Sequence, residues 1–272
     1  MSYERMLTEA RKDVDAAVEV WRQLIQERLR DRVEYALLKG SAIKEWDSPV
    51  DYVPVISDID IHVGTKKGMN LFPETRDGFH YSLETTYLYE EWFKEERPDH
   101  LHIPRPQVMV VEESRGEWLP ESHEEVRPLY GEVPLKPEEP AEQLRARDMD
   151  ELASLAPLLA RLPLHVIERI DLEYYRVLRM LCYVVSPTPV RVLSQFTDPK
   201  HAWKLNRTNV LRLLERSGLQ DIAEPYREYY LTGWKAFTEG FRDNDTMRRL
   251  ITYAYDVLYA SHAAVREKVE KR

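Results

Sequence analysis

The first half of the chain mixes the apolar spacing of helices with that of strands. Apolar residues three and four positions apart predict a helix over residues 4–31. Short apolar runs predict strands over residues 33–39 and 57–63, and a run rich in β-branched residues predicts a third over 107–112. A second helical pattern covers residues 81–96, between the second and third strands. This order predicts a small mixed sheet flanked by helices.

The second half of the chain has only helical periodicity. Five prolines and many charges between residues 120 and 140 predict an irregular linker before it. The helical patterns that follow cover residues 148–162, 165–185, 207–217, 221–238 and 244–270. We therefore predict an α+β protein with two domains, residues 1–135 with the sheet and residues 136–272 as an all-helical bundle.

Composition narrows the class of protein. With 272 residues, 43% of them apolar, the chain can form one or two globular cores. A net charge of −9 argues against nucleic acid as the main partner, although it allows a local basic pocket. Cys182 is the single cysteine, so a reducing compartment is expected. No apolar run approaches the ~18 residues of a membrane span, and a cytoplasmic location is the expectation.

Two aspartates, Asp58 and Asp60, lie two positions apart at the start of the predicted strand 57–63. Side chains alternate along a strand, so both carboxylates are expected on one face, with Ile59 and Ile61 on the other. Neighbouring carboxylates repel each other unless a cation lies between them, and a divalent metal is the usual one. The pair therefore predicts a Mg²⁺ site, although an Asp-x-Asp step alone is a weak signal.

A Gly-Ser pair, Gly40-Ser41, closes the strand predicted just upstream. Such a bend can offer backbone N–H groups and a hydroxyl to a phosphate. Residues 42–56, which are charged and contain two prolines, predict a loop or short hairpin over the site. The bend followed by Ser-Asp-Ile-Asp is far more specific than either feature alone. Together they predict a site for a nucleoside triphosphate with its Mg²⁺.

The pattern GSAIK…SDIDIHV resembles the DNA polymerase β-like nucleotidyltransferase superfamily. The resemblance implies that Gly40 and Ser41 bind the triphosphate and that Asp58 and Asp60 bind Mg²⁺ and are catalytic. A basic residue often follows the Gly-Ser turn, and Lys44 is the implied nucleotide-binding candidate. The layout is most similar to the aminoglycoside (streptomycin/spectinomycin-type) adenylyltransferases, which pair a catalytic domain with a C-terminal helical bundle.

The resemblance extends loosely into the second half, where Tyr175–Ser194 and Tyr226–Trp234 are similar to segments of that bundle. It implies that the helical domain closes the far side of the catalytic cleft and carries acceptor specificity. Aromatic residues there could line an acceptor pocket or form the bundle core: Trp203, Tyr226, Tyr229, Tyr230 and Trp234. Basic residues there could contact the triphosphate or lie on a solvated helix face: Arg191, Lys200, Lys204 and Arg207.

Two departures from the family pattern bear on the chemistry. The spacer from Ser41 to Asp58 is longer than usual. The family's third acid, a metal ligand or general base early on the next strand, aligns here with Gln107, and glutamine cannot accept a proton. Glu112, later on the same strand, is our substitute as catalytic base. Five residues separate Glu112 from Gln107, so on a regular strand their side chains lie on opposite faces. Glu112 therefore faces the metals only if a bulge intervenes.

Three histidines have alternative interpretations. His100 and His102 have the spacing of metal ligands, but a zinc site needs three or four ligands and no further clear one lies nearby. His62 follows the acid pair on the same predicted face. It could contact substrate, although packing is the more common role for such a residue.

The leading hypothesis is a Mg²⁺-dependent nucleotidyltransferase. It would move a nucleoside monophosphate, AMP from ATP, to a hydroxyl of a small acceptor such as an aminoglycoside and release pyrophosphate. A second hypothesis keeps the fold with weak chemistry, so that the protein binds nucleotide or a partner as a regulator. A third keeps the chemistry but modifies a protein side chain or an RNA end. The sequence leaves the acceptor, the base of the nucleotide and the oligomeric state open.

Overall fold

The computed structural model describes residues 2–111, 125–134 and 139–270. The chain divides into two compact units. The first contains Met1–Lys44 and Ser57–Glu138, and the second contains Glu45–Ile56 and Glu139–Arg272. Among the described residues, no helix is long and apolar enough to cross a membrane.

The first unit combines helices with a sheet, as the apolar spacing predicts. Its first helix continues directly into a π-helical turn over Ile25–Leu29. Its elements in chain order are α1 (Tyr3–Leu24), β1 (Val33–Lys39), β2 (Ile59–Thr65), α2 (Arg76–Glu96), β3 (Pro106–Val111) and β4 (Arg127–Tyr130).

The four strands form one mixed sheet in the order β3-β2-β1-β4. Strand β1 is antiparallel to β2 and to β4, whereas β2 and β3 are parallel. The predicted mixed sheet is therefore confirmed, with one strand more than expected. Strand β4 lies in the stretch predicted as an irregular linker. It contains Pro128, which a sheet tolerates on an edge strand, and β4 is an edge strand.

The apolar stripe of α1 forms part of the core of this unit. Val14, Ala17 and Leu24 have no exposed surface. The indole of Trp21 packs against the ring of Tyr89 on α2, with ring centroids 5.7 Å apart. The three-and-four spacing thus identified the buried face of α1 correctly, because that spacing places side chains on one side of a helix.

Helices make up the regular structure of the described part of the second unit. The predicted helix over 165–185 is interrupted between Ile167 and Tyr174, where Asp171 has φ +57°. Gly218, with φ +73°, follows the helix over Arg207–Arg216. The helices are α3 (Ala141–Ala153), α4 (Leu155–Ile167), α5 (Tyr174–Val185), α6 (Thr188–Ser194), α7 (Pro199–Lys204), α8 (Arg207–Arg216), α9 (Gln220–Thr238) and α10 (Asn244–Glu270).

The first turn of α10 is capped by the residue that precedes the helix. The backbone N–H of Thr246 donates to Asp243 Oδ1 at 2.7 Å. Asp243 therefore satisfies one of the N–H groups that the first turn leaves without a helical partner.

Residues 45–56, the long spacer between the Gly-Ser bend and the aspartate pair, belong to the second unit. Of the two predicted forms, a loop or a short hairpin, the segment adopts the loop, with a 3₁₀ turn at Pro49–Asp51 and no strand over these fully described residues. Asp51 is 2% exposed and accepts hydrogen bonds from the backbone N–H of Thr208 at 2.8 Å and from its hydroxyl at 2.7 Å. The predicted division at 135/136 assigned this segment to the N-terminal domain, whereas it packs among C-terminal helices.

Apolar contacts hold the same segment. Tyr52 and Val53 have no exposed surface. The indole N–H of Trp234 donates to the carbonyl of Pro49 at 2.7 Å. A β-carbon at Gly233 would lie 2.6 Å from the Cδ1 of Ile56, so α9 approaches the segment closely where it has no side chain.

Candidate functional site

The Gly-Ser bend lies directly against the second aspartate. Gly40 has φ +74°, a conformation that favours glycine, and it begins a 3₁₀ turn over Gly40–Ala42. A β-carbon at position 40 would lie 2.1 Å from Asp60 Oδ2. The antiparallel register explains this proximity, because Lys39 at the end of β1 pairs with Asp60 on β2. The structure therefore brings together two of the residues that the sequence singled out.

The first aspartate, Asp58, precedes β2 by one residue and contacts an arginine. Its carboxylate accepts a hydrogen bond from the Arg105 guanidinium. Arg105 precedes β3, and its carbonyl accepts a hydrogen bond from the N–H of Ile59 at 3.0 Å. The Asp58 side chain is 15% exposed and that of Arg105 is 33% exposed. Asp58 is thus paired with a cation that solvent can reach.

Sequence reasoning missed Arg105, although a signal for it was present. Asp60 lies beside Gln107 in the parallel register of β2 and β3, and Ile59 lies beside Pro106. Extending that register by one residue places Arg105 beside Asp58. The basic residue one position before the third predicted strand was therefore the one to examine. Assigning the two strands as parallel neighbours was the missing step.

The neighbour of Asp60 on β3 is the amide of Gln107. This is the position where the superfamily resemblance implies a third acid. An amide oxygen can coordinate a cation, but it neither balances charge nor accepts a proton at neutral pH. Glu112, the predicted substitute base, lies outside the described residues, so its role stays a prediction.

Ser41 and Lys44 complete the predicted nucleotide-binding set. Ser41 follows the glycine in the 3₁₀ turn and is partly exposed. The guanidinium of Arg11 on α1 donates to the backbone carbonyl of Lys44 at 3.1 Å. The main chain after the bend is therefore anchored to the first helix. The phosphate contacts assigned to both side chains stay predictions.

The donor set of the acid pair suits a cation that arrives with its own ligands. Across the described residues, no group of three or more His, Cys, Asp or Glu side chains could hold a metal ion. Mg²⁺ commonly takes one or two protein carboxylates and completes its shell with water and substrate phosphates. Asp58 and Asp60 fit that manner of binding, and they do not form a cage for a resident metal.

Two of the three histidines contact neighbouring groups of the chain, and the third is buried in the sheet. Nδ1 of His100 lies 2.7 Å from the carbonyl of Arg97, and Nδ1 of His102 lies 3.1 Å from Asp13 Oδ2. His62 is 3% exposed within β2. The spacing of His100 and His102 thus reflects two separate contacts, which favours the interpretation without zinc.

The aromatic candidates of the second unit form its core. Tyr226, Tyr229 and Trp234 have no exposed surface, and Tyr230 is 1% exposed. Burial raises the pKa of the Tyr226 and Tyr229 hydroxyls well above its usual value. Trp203 donates its indole N–H to Asp148 Oδ2 at 3.0 Å. The core interpretation is therefore correct for the four fully buried rings.

Two of the basic candidates bind their own unit. The Arg207 guanidinium lies 4.3 Å from the centroid of the Tyr230 ring and donates to the carbonyl of Asp51 at 2.8 Å. Arg191 lies 3.4 Å from a carboxylate oxygen of Glu151 and is largely buried, and burial lowers its pKa. Both arginines stabilise helix packing, which argues against a triphosphate contact for either.

Comparison of the chain with protein-family models, with curated proteins and with solved structures finds no match in any of the three. The functional argument therefore rests on the residues and the geometry described above.

Proposed function

We propose that the protein is a Mg²⁺-dependent nucleotidyltransferase that moves AMP from ATP to a hydroxyl of a small acceptor and releases pyrophosphate. Gly40 and Ser41 seat the triphosphate, with Lys44 as an additional contact. Asp58 and Asp60 hold the Mg²⁺ that accompanies the nucleotide. Aminoglycosides are the acceptors that the sequence resemblance implies.

One observation carries this proposal, the contact between Gly40 and Asp60. A bend with φ +74° turns the chain at the end of β1, where N–H groups can meet a phosphate. The same glycine leaves room for the Asp60 carboxylate, 2.1 Å from where a β-carbon would stand. A phosphate bound at this bend therefore lies next to an acid that can share a cation with it. Either residue alone would be an ordinary turn or an ordinary surface acid.

Arg105 has a defined part in this scheme. Its guanidinium neutralises Asp58 before nucleotide binds. Mg²⁺ would supply charge neutralisation at the phosphates and carboxylates, after which the Arg105 guanidinium is available to a phosphate oxygen. A guanidinium binds carboxylate and phosphate with the same donor geometry, so Arg105 can serve either partner.

The chemistry at the acceptor depends on how its hydroxyl loses a proton. Gln107 beside Asp60 cannot take that proton. General-base help is worth ~10²–10⁴-fold in rate, so a site without it transfers slowly and does not become inactive. We therefore propose a slow enzyme unless Glu112, the predicted base, supplies this help.

Labelled ATP, Mg²⁺ and a panel of aminoglycosides test the proposal, with transfer to acceptor and release of pyrophosphate as readouts. The double variant Asp58→Asn with Asp60→Asn is expected to lose transfer. The matched control is Asp99→Asn, which removes the charge of an exposed acid elsewhere in the first unit. Full activity of the double variant would refute the assignment.

A nucleotide-binding regulator with weak chemistry is the second candidate. Two observations favour it, the amide of Gln107 in the position of the third acid and the neutralisation of Asp58 by Arg105. Calorimetry distinguishes the candidates. A regulator binds ATP with Mg²⁺, loses that binding in the Asp58→Asn and Asp60→Asn double variant, and shows no turnover over the acceptor panel.

A further inference from the structure

The outer face of α2 carries an exposed apolar stripe. Phe79 is 61% exposed, Leu83 is 50% exposed and Tyr87 is 61% exposed. They follow each other at intervals of four, so they lie on one side of the helix. The opposite side of α2 is buried through Gly78 and Thr85. A contiguous row of large exposed apolar residues usually marks an interaction surface.

Charges border this stripe asymmetrically. Arg76 is exposed at its N-terminal end, and Glu90 is exposed at its C-terminal end. Both lie on the same side of the helix as Leu83, because seven residues separate each of them from it and seven residues span almost two full turns. The stripe thus runs from Arg76 through an apolar middle to Glu90, and Lys94, one turn further along, is paired with Glu91 at 3.0 Å.

We propose that this face binds the same face of a second copy of the chain, with the two α2 helices antiparallel. In an antiparallel pair related by a two-fold axis at Leu83, residues at equal distances on opposite sides of Leu83 come level with each other. Phe79 is then level with Tyr87 of the second copy, and Arg76 is level with Glu90 of the second copy. The Leu83 side chains of the two copies meet at the axis.

The pattern is self-complementary, as an isologous two-fold interface requires. Apolar positions meet apolar positions, and each positive end meets a negative end. A parallel arrangement would place Arg76 beside Arg76 and Glu90 beside Glu90, which repel each other. The charge order along α2 therefore favours the antiparallel dimer over a parallel one.

The size of the face sets the expected affinity. The stretch from Arg76 to Glu90 is about 21 Å long at 1.5 Å per residue. One helix face of that length buries less than the about 800 Å² per partner of a standard stable interface. We therefore expect a reversible dimer with a dissociation constant in the micromolar range. This inference is independent of the proposed catalytic function.

Charge reversal tests both the face and its orientation. Sedimentation equilibrium of the full chain over micromolar concentrations is expected to show a monomer–dimer equilibrium. Arg76→Glu is expected to weaken dimerisation at least tenfold, because it places two glutamates level with each other at each end. The double variant Arg76→Glu with Glu90→Arg exchanges the charges and is expected to restore the wild-type constant.

A cysteine at the proposed axis gives a second, independent measurement. Leu83→Cys is expected to form a disulfide-linked dimer under mild oxidation, because the two cysteines meet at the two-fold axis. Asp77→Cys, also exposed on α2 but about 120° around the helix from Leu83, is the matched control and is expected to stay largely uncrosslinked. A monomer at all concentrations, or a double charge variant that stays as weak as Arg76→Glu, would overturn the proposal.

Discussion

Two acidic regions of the first unit show opposite ways of accommodating a carboxylate. Asp13, on α1, has no exposed surface and is surrounded by donors from Arg97–His102. Its oxygens accept from Arg97 Nε at 3.2 Å and from the backbone N–H groups of Leu101 at 2.9 Å and His102 at 3.0 Å. Asp60 lies at the glycine bend. Asp58, two residues before it, is partly exposed and pairs with a partly exposed arginine.

The comparison shows that burial of an acid does not by itself identify a binding site. The donors of Asp13 come from the chain and fix one segment against α1, so its lone pairs are used within the fold. The guanidinium at Asp58 is 33% exposed, and the proposed function has it move to a phosphate. An acid whose partner can be exchanged is the better candidate for ligand binding.

The electrostatics of the Asp13 region agree with a structural role. Burial raises the pKa of Asp13, but the hydrogen bonds from the side chain and backbone of His102 and from Arg97 lower it by more, so the pKa lies below its usual value. Burial lowers the pKa of His102, against the opposing effect of Asp13. The folded protein therefore favours an ionised aspartate beside a neutral imidazole.

The largest expected effect is on the Asp13 side of the comparison. Asp13→Ala removes the acceptor of His102 and of two backbone N–H groups and leaves Arg97 with Glu9 alone, which should cost ~3–5 kcal/mol of unfolding free energy. Urea denaturation measures it. Asp15→Ala removes a carboxylate that is 55% exposed on the same helix and should cost less than about 1 kcal/mol. Equal losses for the two variants would mean that the Asp13 network adds nothing.

Two glycine-to-alanine substitutions test whether the bend at Gly40 takes part in nucleotide binding. Gly40→Ala imposes the left-handed strain of about 1–2 kcal/mol and a clash with Asp60. Gly68→Ala imposes the same strain at φ +76° with no atom within 4 Å. We expect Gly40→Ala to be the less stable variant and to bind ATP with Mg²⁺ at least tenfold more weakly than Gly68→Ala. If calorimetry gave the same ATP affinity for both variants, the bend at Gly40 would not be part of the nucleotide site.

Acid is expected to weaken the Asp13 region of the fold. Since the folded-state pKa of His102 is lowered, the unfolded chain takes up its proton first, and stability falls as pH drops below about 6.5. The lowered pKa of Asp13 adds a further loss below about pH 4. His102→Gln, which does not titrate, should lose less stability between pH 8 and pH 5, by at most about 2 kcal/mol. If the wild type and His102→Gln lost the same stability over this pH range, groups other than His102 would cause the acid sensitivity.

The smallest expected effect concerns Arg105. Arg105→Ala removes the cation that competes for Asp58, so Mg²⁺ alone should bind a few-fold more tightly, in line with about 1 kcal/mol for a partly exposed pair. ATP with Mg²⁺ should bind more weakly if the guanidinium moves to a phosphate. Calorimetry with each titrant measures both, and Arg30→Ala, at an exposed arginine, is the control. Tighter nucleotide binding in Arg105→Ala would contradict the exchange.

Local patterns predicted the elements that local forces decide. The strand at Val33–Lys39 has the bounds that its apolar run indicated, and α1 buries the face that its periodicity selected. Strand β4 was missed because Pro128 normally argues against a strand, and an edge position removes that objection. The break between α4 and α5 was missed because the apolar spacing continues through it, although Leu172 there is 78% exposed.

The sequence by itself determined the mixed sheet, the helical second half and the presence of a glycine bend before an aspartate pair. Periodicity and backbone preference act over a few residues, so a single segment reveals them. Only the tertiary structure decided that Gly40 touches Asp60, that Arg105 pairs with Asp58, and that residues 45–56 pack among the C-terminal helices. Each of these depends on strand register or on packing between segments far apart in the chain, and no local pattern encodes which distant residues meet.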